Sequence, residues 1–266
     1  MAPYVRSLFV VLTTLSAACA IGQERKSDVC PADAGEFTTI ESRAHAGDAV
    51  AQAALASCYD LGRHVQPNGK ESIRWLTEAA NKGYAPAEYE LGRIYLYGRG
   101  IPADYAKALL WERKAAEQGD ARAQRDLAFI YERGFGVPAD PAKAAEWNRK
   151  AAAQGQADAQ LELARKAAQQ RDCLEAIREY KEAAAHGQAL APYELGELYL
   201  SHKCGANRNA ALLWFTIGAR LGSEESKSQA AKLAQAVSRR EKKRADEQAE
   251  KWIKDHPGIE KENESD

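Results

Sequence analysis

Hydrophobic and polar positions between residues 49 and 223 follow a helical period that restarts at a fixed step. Trp75, Trp111 and Trp147 stand 36 residues apart, as do Gly83, Gly119 and Gly155, with Gly187 and Gly222 following at 32 and 35. A large apolar residue and a turn residue recurring together mark a repeat array. Aligned on these markers, the units are 49–84, 85–120, 121–156, 157–188 and 189–223.

Each unit reads as two helices. Leu91, Gly92 and Tyr95 form one stripe of the first helix, and they recur as Leu127, Ala128 and Tyr131 and as Leu195, Gly196 and Tyr199. The small middle residue lets a neighbouring helix come close. The run Gly98 to Asp104 then breaks the helix and supplies Asp104 as an N-cap, and Gly134 to Asp140 does the same. The second helix carries Ala108, Trp111, Ala115 and Ala116 and stops at Gly119. One such pair leaves an apolar face uncovered, so neighbouring pairs must stack.

The pattern A-x-A-x-x-x-L-G-x-x-Y-x-x-G-x-G-[VI]-P-x-D-x-x-K-A-x-x-W-x-x-K-A-A-x-x-G resembles the Sel1-like repeat, a relative of the tetratricopeptide repeat. Units two and three match almost every position; unit four lacks the G-x-G loop, and unit five replaces it with residues 201–206. The resemblance spans residues 35–237 and implies an all-α, right-handed α-solenoid of stacked helix-turn-helix Sel1-like repeats with partial capping units. Residues 21–48 form an N-terminal segment and partial capping repeat, whose helix is expected over Thr39–Gly47. Residues 224–256 are expected as one charged capping helix, and 257–266 as a disordered tail.

The first 20 residues read as a signal peptide. Arg6 precedes an apolar run from Leu8 to Leu15 that is shorter than the roughly 20 residues a spanning helix needs, and Ala18-Cys19-Ala20 offers a cleavage site. Leu15-Ser16-Ala17-Ala18-Cys19 also resembles a lipoprotein lipobox displaced by one residue, which keeps a lipid anchor at Cys19 as the alternative to soluble export. With the Ala- and Arg-rich composition, the leader points to the periplasm of a Gram-negative bacterium. No transmembrane segment is expected. Export leaves Cys30, Cys58, Cys173 and Cys204, an even set that suits two disulfides in any of three pairings. Placed on the repeat, Cys173 and Cys204 fall on the same edge of adjacent units, and Cys30 falls near Cys58, so Cys30–Cys58 and Cys173–Cys204 are the expected pairs.

Lys plus Arg total 37 against 38 Asp plus Glu, a net charge of −1 that gives no pull toward nucleic acid. Among five His residues there is no H-E-x-x-H, and His186, one before Gly187, reads as a helix-end cation. Some cysteine-rich Sel1-like relatives are linked to β-lactam chemistry, but no Ser-x-x-Lys or Lys-Thr-Gly occurs here. No catalytic residue, metal or cofactor is expected, and the chain reads as a non-enzyme.

Binding remains. In tetratricopeptide-like arrays the first helices line the concave surface, and the face opposite Leu91 and Tyr95 carries Tyr89, Arg93 and Tyr97. The same positions hold Arg125, Phe129 and Arg133 in unit three, and Tyr193, Glu197 and Ser201 in unit five. Tyr and Arg are enriched at binding hot spots. The expected function is a periplasmic scaffold or adaptor gripping a partner protein on this concave surface. The alternatives are an immunity protein neutralising a secreted toxin such as a phospholipase, and a peptidoglycan-fragment binder whose Arg93, Arg125 and Arg133 take carboxylates. Composition leaves the partner's identity and the oligomeric state open.

Overall fold

Most helices begin where an Asp, Asn or Ser side chain accepts bonds from free backbone N–H groups, while those after Tyr84 and Leu190 start with no side-chain cap. Asp48 caps Val50 and Ala51, and Asp104, Asp120 and Asp140 repeat that service down the array. The structure, a computed structural model, describes residues 29–201 and 204–259. The leader, its cleavage site, Cys19 and residues 260–266 lie outside the described residues. Thirteen helices and no strands are present among the described residues: α1 (Ala34–His45), α2 (Ala49–Leu61), α3 (Gly69–Asn81), α4 (Ala85–Tyr97), α5 (Tyr105–Glu117), α6 (Ala121–Arg133), α7 (Pro141–Ala152), α8 (Ala157–Gln169), α9 (Cys173–Ala185), α10 (Ala191–Leu200), α11 (Arg208–Arg220), α12 (Glu224–Ala234) and α13 (Arg239–Asp255). From α1 to α12 each helix packs on the next, which makes an all-α solenoid of five helix pairs.

Within a pair a side chain of the second helix presses directly on the glycine backbone of the first. A Cβ on Gly92 would lie 2.6 Å from the Glu112 carboxyl carbon, and one on Gly196 would lie 2.5 Å from the Phe215 ring. Between pairs a polar seam supplements the apolar contacts. Gln52, Gln124 and Gln160 donate across the junction to the carbonyls of Ala44, Ala116 and Ala152, at 3.2, 3.1 and 3.3 Å. Gln154 donates to Gln124, and His186 Nδ1 lies 2.9 Å from Gln160 Oε1, so His186 joins the seam as well as ending α9.

Both expected disulfides are present. Cys30–Cys58 pins the segment before α1 to α2, and Cys173–Cys204 ties the start of α9 to the loop after α10. The second clips the unit whose connection is shortest, where Gln170, Arg171 and Asp172 join α8 to α9 with Arg171 at φ 63°. A non-glycine residue in that region is unusual and must be held there by its surroundings.

The ends differ from expectation in three ways. The first helix starts at Ala34 because Asp33 caps it, not at Thr39. The expected single helix over 224–256 is broken at residues 235–238, where Ser238 and Glu241 form a capping box that starts a new helix. The break lets α13 fold back on α11, burying Ala245 and Ala249 and setting Trp252 edge-on to Trp214 at 5.5 Å. Ile259, expected in a disordered tail, is buried.

Replacing Cys173 and Cys204 by Ala should lower unfolding free energy by roughly 3–4 kcal/mol on chain entropy alone, read by urea denaturation under oxidising conditions. Gly196→Ala should cost about 1–3 kcal/mol through overpacking on Phe215, seen as a lower melting temperature.

Candidate functional site

The first helices α2, α4, α6, α8 and α10 present equivalent registers, and what stands there decides whether the space between neighbours is filled. In unit two the register holds Tyr89, Arg93 and Tyr97; 36 residues earlier it holds Ala53, Ser57 and Leu61. Between α4 and α6 the large side chains fill the gap. Tyr89 keeps only 6% of its surface, with the Arg122 guanidinium 4.3 Å from its ring centre. Arg93 sits 5.7 Å from both the Tyr89 and Tyr97 rings. Arg125 pairs with Asp126 at 2.6 Å and Asp158 at 2.9 Å, and the Tyr97 phenol lies beside it.

Between α2 and α4 the small residues leave a groove of about 910 Å³, within the range of ligand sites. Ala53 and Ser57 form one wall, Pro86, Glu90 and Ile94 the other, with Ile73 and Leu76 of α3 beneath. Its rim carries two ion pairs, Asp60–Arg99 at 3.9 Å and Asp120–Arg122 at 2.9 Å. Glu90 has no ion-pair partner among the described residues. The groove is apolar below and charged above, the makeup of a surface that takes a chain segment by burying its side chains and orienting its polar groups.

The structure therefore brings Tyr89, Arg93, Tyr97 and Arg125 into one cluster across units two and three. Arg133 lies 5.5 Å over Phe129, which meets Phe135 edge-on at 5.6 Å. Tyr193 leans on Phe215 at 5.9 Å, and Glu197 accepts from Gln229 at 3.2 Å; both belong to α10, two units away. Only Tyr97 of these has a large exposed apolar surface, at 50%. A search for large hot-spot residues finds the filled part of the array and misses the open part. The available signal was smallness: Ala53 and Ser57 at a register that elsewhere holds Tyr and Arg.

A second hollow of about 420 Å³ lies beside α8 and α10. Three of its polar groups are bound to one another: Arg165 meets Glu194 at 2.5 Å, and Tyr180 donates to Glu194 at 3.1 Å. Among the described residues, no three His, Cys, Asp or Glu side chains are placed to hold a metal, and no helix is long and apolar enough to cross a membrane.

Burial governs the electrostatics of the filled cluster. It pushes the Tyr89 phenol up to about 12, helped by Asp126. It also raises Asp126, 3% exposed, against the pull of Arg125 and Arg93. Arg125→Ala should destabilise by about 2–4 kcal/mol at neutral pH, because a buried carboxylate loses its partner. The deficit should shrink toward pH 4 as Asp126 takes a proton, and adding Asp126→Asn should recover more than half, measured by urea unfolding of the double-mutant cycle.

The Sel1 repeat family matches residues 49–84, 85–120, 121–156 and 189–223, leaving out the short unit 157–188. A protective antigen present in uropathogenic Escherichia coli strains, displaying an SLR fold, is similar in structure. It has a TM-score of 0.74 and 26% identity, over 84% of this chain and 50% of that one, so this chain spans about half its length. A Sel1 repeat protein from Oxalobacter formigenes matches with a TM-score of 0.64 and 23% identity, over 82% of this chain and 99% of that one. No curated protein sequence matches at a significant level. With more than half of its residues in four matched repeats, and with those repeats folded as stacked helix pairs, the chain belongs to the Sel1 repeat family.

Proposed function

We propose that the protein is a non-enzymatic scaffold of the bacterial envelope, exported to the periplasm, which holds a segment of a partner protein in the groove between α2 and α4 and along the Tyr89–Arg125 cluster beside it. The groove carries this reading: an accessible apolar trough with a charged rim, in a fold typical of protein–protein interaction scaffolds. Two disulfides support an oxidising location. The peptidoglycan reading loses support, because Arg125, one of its three carboxylate-binding arginines, is already engaged by Asp126 and Asp158.

The test is capture from periplasmic extract with three baits: the mature protein, Ser57→Arg and Leu174→Ala. The first substitution gives unit one the arginine of unit two and fills the groove; the second changes a remote residue that is 85% exposed. A protein enriched by the mature chain and by Leu174→Ala, and reduced at least tenfold on Ser57→Arg, is the expected result. Equal recovery on all three baits, or recovery on none, would overturn the groove as the binding site. The captured protein's identity then separates an envelope adaptor from an immunity protein, which would bring down a toxin.

A further inference from the structure

Behind one wall of the groove lies a carboxyl group with no partner. Glu112, on α5, is 0% exposed, and neither of its oxygens has a hydrogen-bond partner among the described residues. It presses on the backbone of α4 at Gly92, close enough that a Cβ there would lie 2.6 Å from its Oε1. The equivalent residue is Leu76 in unit one, Asn148 in unit three and Phe215 in unit five, so the place takes apolar or neutral polar side chains there and an acid here. Helix α5 packs on α4 and α6. The charged groups that face Glu112 from those elements are Glu90 and Arg93 of α4, Asp126 of α6 and its N-cap Asp120, the last two carrying their own arginines, Arg125 and Arg122. Glu90 and Asp120 also line the groove.

We propose that Glu112 is a pH-sensitive latch: as the neutral acid it packs α5 against Gly92 and holds α4 in place as a groove wall, and on ionising it loosens that wall. This regulation rests on the groove being the partner site, while the latch itself is a property of the free protein.

An ionised carboxylate at this place would be uncompensated, since burial removes its water and Asp126, Asp120 and Glu90 oppose the pull of Arg93. Both effects hold its proton well above the ordinary glutamate range, burial being the larger. The sign follows from linkage. Below about 4.3, the ordinary glutamate value, folded and unfolded chains are both protonated and the full stability is present. As pH rises above it the unfolded chain ionises and the folded chain does not, so stability falls about tenfold in the folding equilibrium per pH unit. The fall ends where Glu112 ionises in the folded state and α5 must yield to admit water. A neutral isostere removes the whole effect.

The experiment uses the mature protein, Glu112→Gln and Glu112→Leu, the last restoring the residue of unit one. Melting temperatures are taken from pH 5 to pH 8, with hydrogen exchange of α4 and α5 corrected for the intrinsic pH dependence. The expected result is a melting temperature that falls with pH in the wild type and less steeply in both variants, with the excess wild-type exchange confined to α4 and α5. Parallel profiles in all three proteins, or excess exchange elsewhere, overturn the latch. Carboxyl NMR of the wild type needs no variant to fold: a Glu112 signal titrating in the ordinary glutamate range overturns the proposal directly. None of these readouts involves a partner, so a failed capture experiment and a failed latch are told apart.

Discussion

At Gly92 and Gly196 the two helices of a unit approach so closely that one methyl group would collide with the opposing side chain. That contact fixes how the pair sits together, and the pair's outer faces then dictate how the next pair must stack. Because a single pair cannot cover its own apolar surface, cohesion is shared among neighbours along the array. The glutamine seam adds direction to this cohesion. Each Gln reaches a carbonyl in the last turn of the preceding helix, as a second donor beside the backbone N–H of the glycine that ends it. Packing thus sets the spacing of the first helices, and spacing decides what their inward residues can do.

Two solutions appear along that row of first helices. Units two and three fill the intervening space with Tyr89, Arg93 and Arg125, and they hold the fill together with stacked guanidinium groups and a buried ion pair. Unit one leaves the space open with Ala53 and Ser57. The same backbone therefore serves as a solid wall in one place and a trough in the next, and two or three side chains make the difference. Glu112 shows the complementary substitution behind the wall, where a core position that holds Leu76 in unit one carries an acid.

Repeat boundaries, helix pairs, caps and both disulfide partners were legible in the sequence, because Gly, Trp and Asp recur at positions where backbone geometry admits few alternatives. The C-terminal break was less so. Residues 224–256 carry an unbroken helical composition, and the Ser238–Glu241 capping box competes with that propensity only because Trp252 can reach Trp214 once the chain turns. The site was half legible. Register placed Tyr89, Arg93 and Tyr97 on one face, but whether a face is filled or hollow depends on the neighbouring unit, and a cavity leaves no residue of its own in the sequence. Glu112 was missed for a related reason: on a charged helix a glutamate reads as a solvated residue until the opposing Gly92 is seen against it.

The fold-back of α13 has a consequence for how such a chain can grow. Helix α11 would otherwise offer its flank to a further helix pair, and Trp252 and the two buried alanines of α13 occupy that flank. At the other end, α1 and the Cys30–Cys58 bond seal the first unit. Adding a unit beyond the first or fifth pair means displacing a helix already packed there, whereas duplicating an interior unit preserves both junctions.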